Sequence, residues 1–145
     1  MTTLSRTADY AVRAAVLLAR HRGERLVSAD EIASAVGAPR NYMAKTLNVL
    51  VRRGVLTSMR GPGGGFALAV APDTLSVAAV IDLFADARPV AARCLLENRA
   101  CDLGVPCSAH ARWTKITRSA RDPLVAMTIG ELCGTHRYTS ASNKG

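Results

Sequence analysis

The sequence predicts a mostly α-helical chain with one small β-hairpin, and three observations carry that prediction. Of 145 residues, 49% are apolar but only 4% aromatic, so the core must be built from Ala, Val and Leu, a composition that favours helices. Apolar residues recur at three- and four-residue spacing through several long segments. The spacing breaks at "VLTSMRGPGGGFALAVAP", where two β-like runs flank a glycine-rich tip.

Residues 4 to 22 read as the first helix, with Leu4, Ala8, Ala11, Ala15 and Leu18 on one face, Arg13 and Arg20 elsewhere, and Gly23 ending it. Ser28 and Glu31 have capping-box spacing, in which hydroxyl and carboxylate each satisfy an orphan backbone donor, so a second helix starts there and buries Ile32, Ala33 and Val36. Gly37 supplies a turn, and Pro39 stands where a third helix can begin because its missing N–H is not needed there. Met43, Leu47 and Leu50 form that helix's inner stripe, leaving Arg40, Asn41, Tyr42, Lys45, Asn48 and Arg52 outside. After the hairpin, "TLSVAAVIDLFA" restores helical spacing and Pro89 closes the segment. A further helix is expected from Ser108 to about Ala120, with Ala109, Trp113, Ile116 and Ala120 on one stripe. Pro123 shortens or kinks it, "TIGEL" suggests a last helical turn, and the polar tail is expected to be disordered.

Charge narrows the choice of partner. Nineteen Lys and Arg against eleven Asp and Glu give a net charge of +8, and no acidic residue occurs between Glu31 and Asp73 while Arg40, Lys45, Arg52, Arg53 and Arg60 all do. A polyanion fits that window, although a solvated basic face kept for solubility explains a charge run equally well. Taken with the order of elements, the window describes a winged helix-turn-helix, whose second helix reads base edges in the major groove while the hairpin wing follows the backbone. Asn41 and Lys45 are the candidates for base or adjacent phosphate contact; Ser28, Tyr42, Arg40, Arg60 and the tip glycines Gly63, Gly64 and Gly65 complete the DNA-facing set. The glycines have a plainer explanation in turn geometry. Such units act as dimers on two half-sites of duplex DNA, and the stripe of Trp113, Ile116 and Ala120 is the candidate dimer surface or, equally, an internal lid.

Several classes drop out. "YAVRAAVLLA" is interrupted by Arg13 and followed by Arg20 and Arg22, unlike a signal peptide, and no apolar run approaches the roughly 20 residues that span a bilayer. A cytoplasmic chain without a membrane partner is therefore expected, in a compartment where disulfides rarely persist. There is no nucleophile-base pair, CxxC, phosphate-binding loop or carboxylate pair, so the chain does not read as an enzyme.

"CLLENRACDLGVPCSAH", residues 94 to 110, holds Cys94, Cys101, Cys107 and His110. Structural zinc sites use close pairs, and only Cys107 with His110 has that form. The wider gaps suit an iron-sulfur cluster whose irons are caught separately, which we prefer to zinc, with a thiol redox switch third. Cys133 stands apart and reads as a small buried hydrophobe.

"NYMAKTLNVL", "VRRGVLTSMRGPGGGFALA", "CSAHARW" and "TIGEL" together resemble the bacterial winged-helix iron-sulfur transcriptional regulators that include IscR, NsrR and RirA, over about Leu4 to Leu132. The resemblance implies a homodimeric transcription factor whose cluster tunes DNA affinity, with Cys94, Cys101 and Cys107 as ligands; the reading adopted on it is a repressor that binds a pseudo-palindromic operator. In IscR-like members a histidine after the third cysteine completes a 2Fe-2S site, matching His110. In NsrR-like members an aspartate in the first helix of the other subunit completes a 4Fe-4S site, matching Asp9, which also stands four residues before Arg13 as an ordinary surface ion pair would. His110, and hence 2Fe-2S, is preferred as local to the loop, although the first cysteine gap here is six residues where five is common. The expected organisation is a DNA-binding domain over 1–75, a linker helix, cysteine loop and dimerisation helix over 76–135, and a tail over 136–145.

Overall fold

A computed structural model describes residues 5–84, 94, 96 and 104–135. Leu4, Pro89, Cys101 and the tail over 136–145 lie outside the described residues, as does the side chain of Ala120. Three helices, α1 (Arg6–Arg20), α2 (Ala29–Val36) and α3 (Arg40–Arg52), are followed by strands β1 (Leu56–Met59) and β2 (Gly65–Leu68), a 3-10 turn (Pro72–Thr74), then α4 (Val77–Asp82), α5 (His110–Ala126) and α6 (Ile129–Thr135). The expected mostly helical winged helix-turn-helix is the fold observed.

Ser5 starts α1 by accepting the Ala8 amide on its Oγ at 3.1 Å. The helix ends at Arg20 rather than residue 22, because the amides of Glu24 and Arg25 turn back onto the His21 carbonyl at 3.1 and 3.4 Å; Gly23 lies inside that turn instead of ending the helix. Its buried face is wider than the expected stripe, adding Ala14, Val16 and Leu17 to Ala8, Ala11, Ala15 and Leu18. Four alanines on that face let neighbouring helices approach closely.

Ser28 caps α2 by accepting the Glu31 amide at 3.2 Å, but the reciprocal half of the capping box is not made. The Glu31 carboxylate turns instead to the Arg25 guanidinium, a charged donor stronger than the backbone N–H it was expected to take. Gly37 ends α2 at φ 76°, where its amide and that of Ala38 both reach the Ala33 carbonyl at 2.9 Å, and Pro39 stands just before the first residue of α3. Met43, Leu47 and Leu50 are fully buried as expected, and Thr46 joins them by donating its hydroxyl to the Tyr42 carbonyl at 3.0 Å.

The hairpin pairs Leu56 with Leu68 and Met59 with Gly65 in antiparallel register. Val27 adds a short third rung, exchanging backbone hydrogen bonds with Phe66 at 3.0 and 2.8 Å. Gly65 is required there, since a Cβ would stand 2.6 Å from the Val27 carbonyl oxygen.

The C-terminal elements return to the same core. Ser76 bridges Thr128, Ile129 donates its amide to the Leu75 carbonyl at 2.8 Å, and Thr128 with Glu131 forms a full capping box at 2.9 and 3.2 Å. Ile129 is buried among residues of α1 and α4, so the hydrophobic core runs across the expected division at residue 75. Helix α5 begins at His110, two residues after Ser108, and continues past Ala120 to Ala126 with Pro123 inside it. Proline removes one ladder bond, that to the residue four before it, which a helix of this length survives. No helix among the described residues is long and apolar enough to cross a membrane.

Ile129→Ala should destabilise the protein by about 2–5 kcal/mol in urea unfolding, because it empties a fully buried site in the shared core. A loss below about 0.5 kcal/mol would show that α6 only lies against a separate N-terminal domain.

Candidate nucleic-acid interface and cysteine loop

The buried stripe of α3 dictates what its other side presents. With Met43, Leu47 and Leu50 inward, Asn41, Lys45, Asn48 and Arg52 fall on one stripe at helical spacing, all exposed. That face carries amides and cations and no carboxylate.

The remaining candidates on the helix pair have partners within the protein. The Arg40 Nε pairs with the Asp30 carboxylate, linking the first turns of α3 and α2. The Tyr42 hydroxyl bonds the Thr7 hydroxyl, and its ring meets that of Tyr10 edge-on at 5.9 Å, tying α3 to α1. Ser28 serves as the cap of α2. Arg25 and Glu31 form a forked ion pair just before and within the first turn of α2, and its hydrogen bonds hold the Glu31 carboxyl below the usual glutamate range.

On the wing, Arg60 and Gly63 are exposed, while Gly64 and Gly65 are there for backbone packing: a Cβ on Gly64 would collide with the Met59 carbonyl. Met59, which sequence reasoning passed over, is 65% exposed because its cross-strand neighbour Gly65 offers no side chain to cover it. The period-two pattern and the glycine run contained that signal.

In the cysteine loop, the Cys94 and Cys107 Sγ atoms lie 3.7 Å apart, both half-buried. That is well beyond the roughly 2.05 Å of a disulfide. It is close to the edge of a tetrahedron with metal–sulfur bonds of about 2.3 Å, which is roughly 3.8 Å. The first and third thiols are therefore neighbours although thirteen positions separate them in the chain. His110 opens α5, donating its amide to the Cys107 carbonyl at 3.1 Å, and is half-buried one turn beyond that thiol. Cys101 lies outside the described residues, and among the described residues no three potential ligands converge. Asp9 forms the surface ion pair with Arg13, at 3.1 Å. Ala109 just before α5 and Trp113 on it are half-buried whereas Ile116 is 58% exposed; Leu96 and Val105 in the loop are exposed as well. Cys133 is half-buried rather than buried, and its carbonyl accepts from Arg20 at 3.4 Å.

Because the Glu31 carboxyl is depressed, the stabilisation from its pair with Arg25 is present above the ordinary glutamate value and is lost as pH falls through the depressed one. Arg25→Ala should move the Glu31 titration up toward the ordinary range by carboxyl-detected NMR; an unmoved titration would contradict the pairing.

The Rrf2 family, described as iron-dependent transcriptional regulators, matches residues 4–135. The HTH-type transcriptional regulator IscR of Erwinia tasmaniensis is 32% identical over 123 residues, which cover 85% of this chain and 73% of that one. Among solved structures, IscR of T. potens superposes with a TM-score of 0.71 at 26% identity, covering 90% of this chain and 85% of the other. CymR, the global cysteine regulator of B. subtilis, superposes with a TM-score of 0.74 at 22% identity over 94% of this chain and all of that one, which shows a shared fold. With its helix-turn-helix, hairpin wing and outward basic stripe, the chain belongs to the Rrf2 family and is a winged-helix, DNA-binding transcription regulator, not an enzyme.

Proposed function

We propose that this protein is a cytoplasmic repressor that binds a pseudo-palindromic operator as a homodimer and whose affinity is set by an iron-sulfur cluster reporting iron supply, nitric oxide or oxidant. The observation that carries the reading is the 3.7 Å approach of the Cys94 and Cys107 sulfurs beside the first residue of α5. Soft thiolates held at that separation fit a tetrahedral metal centre, and the likeness to IscR supports iron over zinc. Cys94, Cys101 and Cys107 would hold a cluster, with His110 as fourth ligand of a 2Fe-2S form or Asp9 of the partner subunit as fourth ligand of a 4Fe-4S form. When bound, such a cluster would supply iron centres sensitive to iron supply, oxidant and nitric oxide.

The protein's own part is mechanical. Cys107 is joined through its carbonyl to His110, so the thiols act on the start of α5, which packs on α4, which packs in turn on α1 behind α3. On DNA, Asn41 and Lys45 address bases or neighbouring phosphates, while Arg40, Arg60 and the wing backbone at Gly63 address phosphates. The exposed Ile116, with Trp113 beside it, is the apolar surface that a second copy would cover. A hundredfold change in operator affinity corresponds to a difference of about 3 kcal/mol between the two states.

The same 3.7 Å approach favours one second reading, a thiol switch in which Cys94 and Cys107 close to a disulfide under oxidant. A zinc ion on the same thiols is the related metal alternative.

Protein purified without air should be coloured and contain two irons and two sulfides per chain; four of each would move the fourth ligand from His110 to Asp9. Cys101→Ala should abolish the visible absorption, and unchanged absorption in that variant would contradict the ligand assignment. Zinc in place of iron, or iron-free protein whose operator affinity still changes with oxidant, would establish the alternatives instead.

A further inference from the structure

Asp30 and Glu31 are the only carboxylates between residues 25 and 72, and both stand in the first turn of α2 within an otherwise basic reading head. Each is held by an arginine: Glu31 by Arg25, and Asp30 by Arg40 from the first turn of α3. The two pairs differ in kind. Arg25 grips Glu31 through two guanidinium nitrogens, whereas Arg40 meets Asp30 through Nε, with side chains 74% and 62% exposed. An exposed ion pair of this sort is weak and easily exchanged.

We propose that Asp30 is a specificity-determining residue: it occupies the Arg40 guanidinium as a stand-in for a DNA phosphate, so that Arg40 transfers to DNA where the register is right and stays with Asp30 where it is not. The inference rests on the DNA-facing reading of α3. A phosphate in a duplex sits in a far stronger negative potential than one surface carboxylate and accepts a guanidinium through paired hydrogen bonds. At an operator, where Asn41 and Lys45 fix the helix in the groove, a phosphate is presented to Arg40 in good geometry and displaces Asp30. On random sequence the backbone contacts shift from one binding pose to another, so no single phosphate holds Arg40 in good geometry, and the tethered carboxylate keeps a larger share of the guanidinium than it does at an operator. Asp30 thereby withholds one phosphate contact per reading head from non-specific complexes while leaving it to the specific one.

The test compares anaerobically purified full-length protein with its Asp30→Asn variant on a random-sequence duplex of about 30 base pairs, a length chosen to span a dimer's two half-sites. Anisotropy titrations over a range of salt concentrations supply the affinities. Asp30→Asn should raise affinity for the random duplex roughly three- to tenfold at low salt and steepen the salt dependence by about 0.9 per reading head, the signature of one added phosphate contact. The ratio of affinities for a site selected from a randomised pool and for the random duplex should fall. In an Arg40→Gln background the gain should vanish. A gain that persists without Arg40 would show that Asp30 acts as a stray negative charge and would overturn the proposal, as would an unchanged slope or weaker binding in Asp30→Asn. Failure of the wild-type protein to bind any duplex would instead overturn the DNA-facing reading of α3, and this inference with it.

Discussion

The close approach of helices across the alanine face of α1 is the constraint on which the rest of the structure depends. Ala8, Ala11, Ala14 and Ala15 leave almost no surface exposed, and against them pack elements from both ends of the chain. With so little side-chain volume on one partner, the bulk must come from the other, and Met43, Leu47 and Leu50 of α3 supply it together with Ile129 and Val80. Cores of this kind tolerate neither cavities nor extra methylenes. The rotation of α3 about its axis is thereby set, and with it the outward stripe of Asn41, Lys45, Asn48 and Arg52.

Helix α1 also joins the reading head to the C-terminal part of the chain. Tyr42 of α3 reaches its Thr7 and Tyr10 near one end, and Arg20 at the other end reaches the Cys133 carbonyl on α6. Packed elements shift between discrete arrangements rather than deforming continuously. On the proposed account, a change at the cysteine loop is felt first by α5 and α4 and then by α1, whose contacts with Tyr42 carry it to α3. The hydroxyl of Tyr42, bonded to that of Thr7, is the polar link between α1 and α3 on that route.

Much of this was legible in the sequence because it rests on local chemistry. The stripe of α3, the caps at Ser28 and Gly37, and the glycine-rich wing all follow from spacing and from what hydroxyls and glycines do to a backbone within four residues. What escaped depended on distant partners. Glu31 abandons its capping role for Arg25, Arg40 pairs with Asp30, and Val27 finds Phe66 across nearly forty positions of chain; no periodicity encodes such choices. Helix α5 passes Pro123 because helix ends are decided by the balance of many bonds, of which proline removes one. The cysteine spacing pointed to metal chemistry, but thirteen residues of separation did not reveal that the first and third sulfurs come within 3.7 Å.

Operator affinity of one anaerobic preparation, measured at fixed salt before and after its iron is removed by a chelator, tests the central claim most directly. The account predicts a change of tenfold or more that is reversed by rebuilding the cluster. Equal dissociation constants in the two states, with iron loss verified by analysis, would contradict it.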